Sequence, residues 1–496
     1  MTHSELREGF EYEFSALDPV GSPHIDSPSV AIYETLLRKG TGGKPLPGLA
    51  SSWTTADDGL SWTFTIRQAA RFHSGELCDA AAVVAALNDC RWGGNKERQL
   101  WYWDAVDEVT AVDPATVKIT LRHPYPRLPT LLWGTHTAIH NEGLRREHPG
   151  EYGFSIVDGT GPYRLVTWSK DELVVEGTSA DETPRIITWV ALPSEDERRT
   201  AAHSSQVSVL RAPPLGLWEE LGGVQGDWEY MEAPQDSNAY LALNFQSVEF
   251  DFHREDLRRA VSLAIDRSKL VAEAFGGRAT PTIGPVPPHD PYYRAGDPAE
   301  AGGADIAAAD ELLVKLGWLR GTKRIRERNG LELAFECVTQ DSPDFHRMAT
   351  CLENDLRVAG IRIGFRFVPP FEAFYAACEA GPQAILSKWL WQDPLEAIIG
   401  FTSSSCDGSP NWQHASVPRL DRAYDAWLHA ETVEELELCA RIVQQVFVET
   451  LPYIPLLTPN DSWLVHKDEQ HFVPVTVGLY PEYGSLARSH ALGGLE

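Results

Sequence analysis

Residues 387–400 read SKWLWQDPLEAIIG, which sets Trp389 and Trp391 beside Asp393 and Pro394. Two indoles supply large rigid apolar faces with a polar N–H, and a neighbouring carboxylate supplies an acceptor or a counter-charge. That combination suits gripping an aromatic or amphiphilic molecule, although alternate tryptophans on a strand also suit a core and an Asp-Pro pair also starts a turn. A second aromatic run, RQLWYWDAV at 98–106, offers Trp101, Tyr102 and Trp103. His136 and His140 stand four apart in HTAIH, the spacing that puts two imidazoles on one helix face in zinc sites. No glutamate follows the first histidine, so no metal is expected, and His136 stands open between a hydrogen-bonded strand-end histidine and a neutral imidazole in contact with a ligand. His73, in FHSGE at 72–76, reads as part of a structural turn, and Cys406 in SSSCDGS as an inert loop cysteine. GTGGKP at 40–45 lacks the spacing of a phosphate-binding loop, and no G-x-S-x-G elbow occurs. No catalytic residue and no cofactor are therefore expected.

The elements that must position these residues are α/β. Asp79 caps a helix predicted over 79–88, and VTAVDPATVKITL at 109–121 predicts strand, turn and strand. Leu257, Ala260, Val261, Ala264 and Ile265 repeat at helical spacing, and a second helix opens at Ser268 and closes at Gly276-Gly277. Leu420, Ala423, Tyr424, Trp427 and Leu428 repeat the pattern, and Thr432 with Glu435 predicts a capping box for a helix reaching Leu451. The stretch 278–302, rich in Pro and Gly, predicts an irregular segment wrapping one lobe.

A chain of 496 residues exceeds what one hydrophobic core supports, so two lobes are expected. The net charge of −28 disfavours nucleic acid, whose phosphates need clustered Lys and Arg. No segment approaches ~18 uninterrupted apolar residues, so a membrane-spanning chain is not expected. The first residues, MTHSELREGFEYEFSALDP, show no basic region followed by an apolar one, and the seven cysteines are scattered without a CxxC pair. As given, the chain is expected to be cytoplasmic with free thiols, or to belong to the cell envelope if a leader was removed.

Several stretches in order resemble the dipeptide, oligopeptide and nickel solute-binding proteins of bacterial ABC importers. They are LDP (17–19), PLPGLASSWTTADDGLSWTFTIRQAARFHSGE (45–76), DGTGPYRLVTW (158–168), YLALNFQSVEFDFHREDLRRAVSLAIDRSKLV (240–271), LENDLRVAGIRIGFRFV (352–368) and LPYIPLLTPNDSWLV (451–465). The resemblance implies a two-lobed periplasmic-binding-protein-like fold with an enlarged first lobe, mixed sheets and two hinge crossings. Lobe I would be 1–241 plus 464–496, lobe II 242–463, with the hinge near 240–246 and 456–466. It implies a monomer that closes on a small peptide-like or aromatic amphiphilic ligand and works with an ABC importer permease. The resemblance also places Trp101, and Tyr102 or Trp103, at the cleft with Trp389, Trp391 and Asp393.

The sequence departs from that family in two places. The loop WLWQDP is about two residues shorter than the W-x-x-D-Y-x-D-P pattern of peptide-binding relatives, leaving Leu390 or Gln392 where their ammonium-binding carboxylate would stand. The stretch 131–141, LLWGTHTAIHN, holds no Arg or Lys where nickel-binding relatives hold a carboxylate-binding arginine. Free peptide N-termini and carboxylate-rich metal chelates are thus not the expected ligands. A second reading is a homologue without export, repurposed as a biosynthetic enzyme or a ligand sensor.

Overall fold

The computed structural model describes residues 5–21, 28–40, 43–92, 103–179, 184–235, 237–247, 249–290, 302–369, 381–390 and 415–469, with Glu182, Glu372, Leu395, Ile398, Thr402, Phe472 and Tyr483 singly. The chain divides into two compact units, Met1–Ala233 with Asp461–Glu496, and Pro234–Asn460. The first crossing thus falls before 234, ahead of the boundary at 241 that the resemblance implies. The reason is pairing: strand Ser237–Leu243 bonds along its whole length to Ala384–Leu390, from Ser237↔Leu390 to Leu243↔Ala384, and so belongs to the second unit.

In the first unit, strand Glu5–Phe10 lies between Ile186–Ala191 and Val209–Arg211, parallel to both. Antiparallel strands Glu172–Gly177 and Tyr163–Trp168 extend one side, and the end of strand Ile454–His466 extends the other. A second, antiparallel sheet runs Ala50–Thr55, Ser61–Ile66, Thr116–Leu121, Val106–Asp113. Helix Ala80–Trp92 packs on it through Val83, Ala86, Leu87 and Cys90, against Phe64, Val109, Val117 and Ile119. Asp79 accepts from the Ala82 N–H, as the sequence predicts, but the helix runs past 88 because the buried Arg91 donates to the carbonyls of Val106 and Asp107. That bond ties its last turn to the neighbouring strand.

The family-like motifs in this unit meet one another. Asp158 of DGTG accepts from the Ser74 N–H at 2.8 Å and from Asn141 Nδ2 at 2.9 Å, while His73 Nε2 bonds the Gly161 carbonyl at 2.9 Å. Gly159 passes so close to the backbone at Ile32 that a Cβ there would sit 2.2 Å from its carbonyl oxygen. These residues hold loops together, which explains their types without ligand chemistry.

In the second unit the sheet order is Arg362–Val368, Ala334–Gln340, Ala384–Leu390, Ser237–Leu243, then the first part of Ile454–His466. Helices Glu255–Leu263, Arg267–Phe275, Ile306–Lys315 and Pro343–Ala359 cover one face, and the predicted repeat Leu257, Ala260, Val261, Ala264 and Ile265 is buried there. Ala239, Leu241, Leu243, Ala384 and Leu386 point into the same core. Helix Val433–Thr450 begins with the predicted capping box of Thr432 and Glu435. It ends at Leu451, left-handed with φ 43°, whose carbonyl, with that of Thr450, accepts from the buried Arg258 guanidinium. An arginine buried with no carboxylate hydrogen-bonded to it among the described residues is tolerable here because terminal helix carbonyls carry partial negative charge.

Candidate functional site

Trp389 lies near the end of strand Ala384–Leu390 and is directly opposite Asn238. Cross-strand partners share a face, and alternate residues change face. Since Leu386 and Ala239 point into the core of the second unit, Trp389 and Asn238 point away from it. Ala239 pairs with Leu457, so the row continues to Thr458, whose hydroxyl donates to Asn238 Oδ1 at 2.6 Å. Asn238 Nδ2 donates to the Pro285 carbonyl. The sheet thus carries a row of indole, amide and hydroxyl on three adjacent strands. Asn238 and Thr458 are buried while Trp389 is half-buried.

Two residues along the strands, the same face changes character. Tyr240 meets Tyr453 at 4.7 Å between ring centroids, and Phe447 of helix Val433–Thr450 meets Tyr453 at 4.6 Å. The helix therefore seals the face at Tyr240. At Trp389 an aromatic surface remains partly open, edged by hydrogen-bonding groups. Such a surface can stack a ring or a flat amide and orient its polar atoms.

The other residues singled out from the sequence divide. Trp103 is 2% exposed and packs into the apolar cluster under the antiparallel sheet of the first unit, with Val106, Leu121 and Tyr125. It is part of that core, because the strand it precedes turns it inward. Trp101, Tyr102, Trp391 and Asp393 lie outside the described residues, as does Cys406. His136 sits in the short 3-10 turn Thr135–Thr137 with its Nε2 shielded from solvent. Burial pushes its imidazole down to about 4, so it is neutral near pH 7.

His140 does not share a helix face with it, because that turn ends at Thr137. Its Nε2 lies 3.0 Å from Asp89 Oδ2 and its Nδ1 3.0 Å from the Ala138 carbonyl. Arg145 then joins Asp89 to Asp18 of the LDP motif, at 3.0 and 2.8 Å. The described cysteines 78, 90, 337, 351 and 439 are free. Burial raises the Cys351 thiol to about 11 and the Cys78 thiol to about 12, well away from thiolate reactivity. Among the described residues no group of three His, Cys, Asp or Glu is placed to hold a metal ion, and no helix is long and apolar enough to cross a membrane.

Sequence reading missed Asn238 and Thr458. A signal exists in retrospect: Asn238 interrupts the largely apolar run of SNAYLAL, and Thr458 ends the apolar run Ile454–Leu457 of IPLLTPNDSWLVH. What the sequence does not show is that the two lie side by side.

Comparison with known proteins fits this architecture. The family model described as bacterial extracellular solute-binding proteins, family 5 middle, matches residues 44–409. The chain is 32% identical over 317 residues to the glutathione-binding protein GsiB of Salmonella paratyphi A, covering 62% of this chain and 60% of that one. It is 31% identical over 319 residues to the protein of the same name from Escherichia coli, again covering 62% of this chain and 60% of that one. The chain therefore matches about three fifths of the length of these relatives. Among solved structures, NikA from Brucella suis in complex with Fe(III)-EDTA superposes with a TM-score of 0.81 at 20% identity, covering 96% of this chain and 97% of that one. The periplasmic binding protein DppA from Helicobacter pylori, in complex with the peptide STSA, gives 0.79 at 18% identity, covering 96% of each chain. At those identities the structural likeness speaks for the fold alone. With a family model matched over most of its length, the chain belongs to the bacterial extracellular solute-binding proteins of family 5.

Proposed function

We propose that the protein is a solute receptor that closes by hinge motion on a small peptide-like molecule and delivers it to an ABC importer permease. Membership of the family supports the class of function. The observation that carries the ligand side is the row Trp389, Asn238 and Thr458, a half-buried indole held against hydrogen-bonding groups on the face turned away from the core. Binding of this kind needs preorganised contacts and no acid or base.

The hinge would be the two chain crossings, at 233/234 and 460/461. As the resemblance implies, Trp391, Asp393, Trp101 and Tyr102 would add further ligand contacts, and His136 would offer a neutral imidazole. The glutathione-binding relatives make glutathione-type tripeptides the class to test first. The short loop after Trp389, without an acid at Leu390 or Gln392, favours ligands whose recognition does not depend on a backbone α-ammonium. The location implied is the cell envelope.

Native mass spectrometry of the purified chain with a panel of reduced and oxidised glutathione, linear tripeptides and nickel–histidine tests this reading. A stoichiometric complex with a glutathione-type compound, and none with nickel–histidine, is expected. Retention of no peptide-like compound by a folded protein would overturn it.

A further inference from the structure

Apart from any ligand, the first unit carries a buried acid whose surroundings do not suit a permanent charge. Leu6, Glu8 and Phe10 share one face of strand Glu5–Phe10 by alternation. Leu6 and Phe10 lie in the apolar cluster formed with Trp189, Val209, Trp463, Phe472 and Tyr483, and Glu8 among them is 0% exposed. Glu8 Oε2 accepts from the Tyr483 hydroxyl at 2.7 Å and from Trp189 Nε1 at 3.1 Å. The two donors also touch each other, at 3.3 Å, with their rings 5.2 Å apart edge to face. Glu8 Oε1 is shielded from solvent and has no hydrogen-bond partner among the described residues.

The charges acting on Glu8 come from Arg211, which attracts a carboxylate, and from Glu11, which repels one. Arg211 is itself engaged: it donates to Asp461 Oδ1 at 3.3 Å and lies 5.3 Å from the Phe10 ring. Desolvation dominates the balance and raises the Glu8 carboxyl to about 7, against the lowering effects of Tyr483, Arg211 and Trp189. A neutral acid fits an apolar site, and an anion with one oxygen unpaired does not.

We propose that Glu8 works with Tyr483 and Trp189 as a proton-operated clasp: the neutral acid is accommodated in the apolar cluster, whereas the carboxylate, although it keeps both donors, leaves a charge and Oε1 buried away from water and so destabilises the closed packing. Between the ordinary carboxyl value of 4.5 and about 7 the folded unit binds more protons than the unfolded chain, so its stability falls as pH rises through that window and levels off above it. Ionisation favours any opening that brings water to Oε1, and Tyr483 is the residue that covers the carboxyl from the far end of the chain, separated from it by 475 positions.

Hydrogen–deuterium exchange on the full chain at pH 5.5, 7 and 8.5, with labelling times scaled to the intrinsic exchange rate, tests the clasp. Protection of the first strand is expected to fall by about tenfold or more across that range in the wild type. Glu8→Gln, which keeps the shape and an acceptor but cannot ionise, should show the same protection throughout. Tyr483→Phe removes a donor that favours the anion, so its midpoint should move to higher pH. Equal wild-type protection at all three values, or a fall that persists in Glu8→Gln, overturns the proposal. If Glu8→Gln does not fold, the Tyr483→Phe midpoint decides, and an unmoved midpoint overturns it.

Discussion

Each unit sets a tryptophan directly across a strand from a buried polar residue, Trp189 from Glu8 in the first and Trp389 from Asn238 in the second. The outcomes differ because of what lies on top. Tyr483 stacks edge to face on Trp189 and leaves it 0% exposed, whereas Trp389 remains half-buried. In the first row the indole N–H serves the acid below it; in the second, Asn238 is served by Thr458 and Pro285, so the indole is not needed to satisfy the amide it faces. The same cross-strand pair is thus a core element where a third group closes over the indole and a half-buried surface where the indole keeps solvent contact. Aromatic residues report a site only through their cover.

The largest effect expected from breaking this contrast is at Trp189. Trp189→Ala should cost about 3–5 kcal/mol by emptying a filled core position and leaving Glu8 with one donor fewer, read as a lower urea midpoint. Glu8→Gln should act in the opposite sense at alkaline pH, raising stability at pH 8 by up to about 3 kcal/mol while changing little at pH 4.5. Urea denaturation at the two values checks it; a gain equal at both would mean that charge is not the cause. Thr458→Val should cost about 1–2 kcal/mol, since Asn238 Oδ1 then stays buried without its donor. The smallest stability change is expected at Trp389→Ala, under about 1 kcal/mol by thermal denaturation, because a half-buried ring leaves little cavity behind.

Much of the fold is legible from local pattern. The repeat beginning at Leu257, the Thr432–Glu435 capping box and the Asp79 cap are set by residues within a turn or two of one another, and each forms as read. Long-range pairing is not local, and there the sequence says less. The first crossing falls before 234 because Ser237–Leu243 pairs with a strand more than a hundred positions away, and helix Ala80–Trp92 extends because Arg91 reaches another strand. Trp103 illustrates the same limit for the site: nothing local in a run of three aromatics shows that it turns inward. Trp389 is legible as an aromatic beside a turn, but its neighbours Asn238 and Thr458 are brought to it only by the sheet.

The central claim is that the row beginning at Trp389 holds a ligand. Isothermal titration of a glutathione-type tripeptide into wild type and Trp389→Ala, paired with thermal denaturation of both empty proteins, tests it most directly. The account predicts an affinity loss of about tenfold or more, roughly 1.4 kcal/mol, with nearly unchanged melting. Unchanged affinity with a marked drop in melting temperature would show Trp389 to be a core residue and contradict the claim.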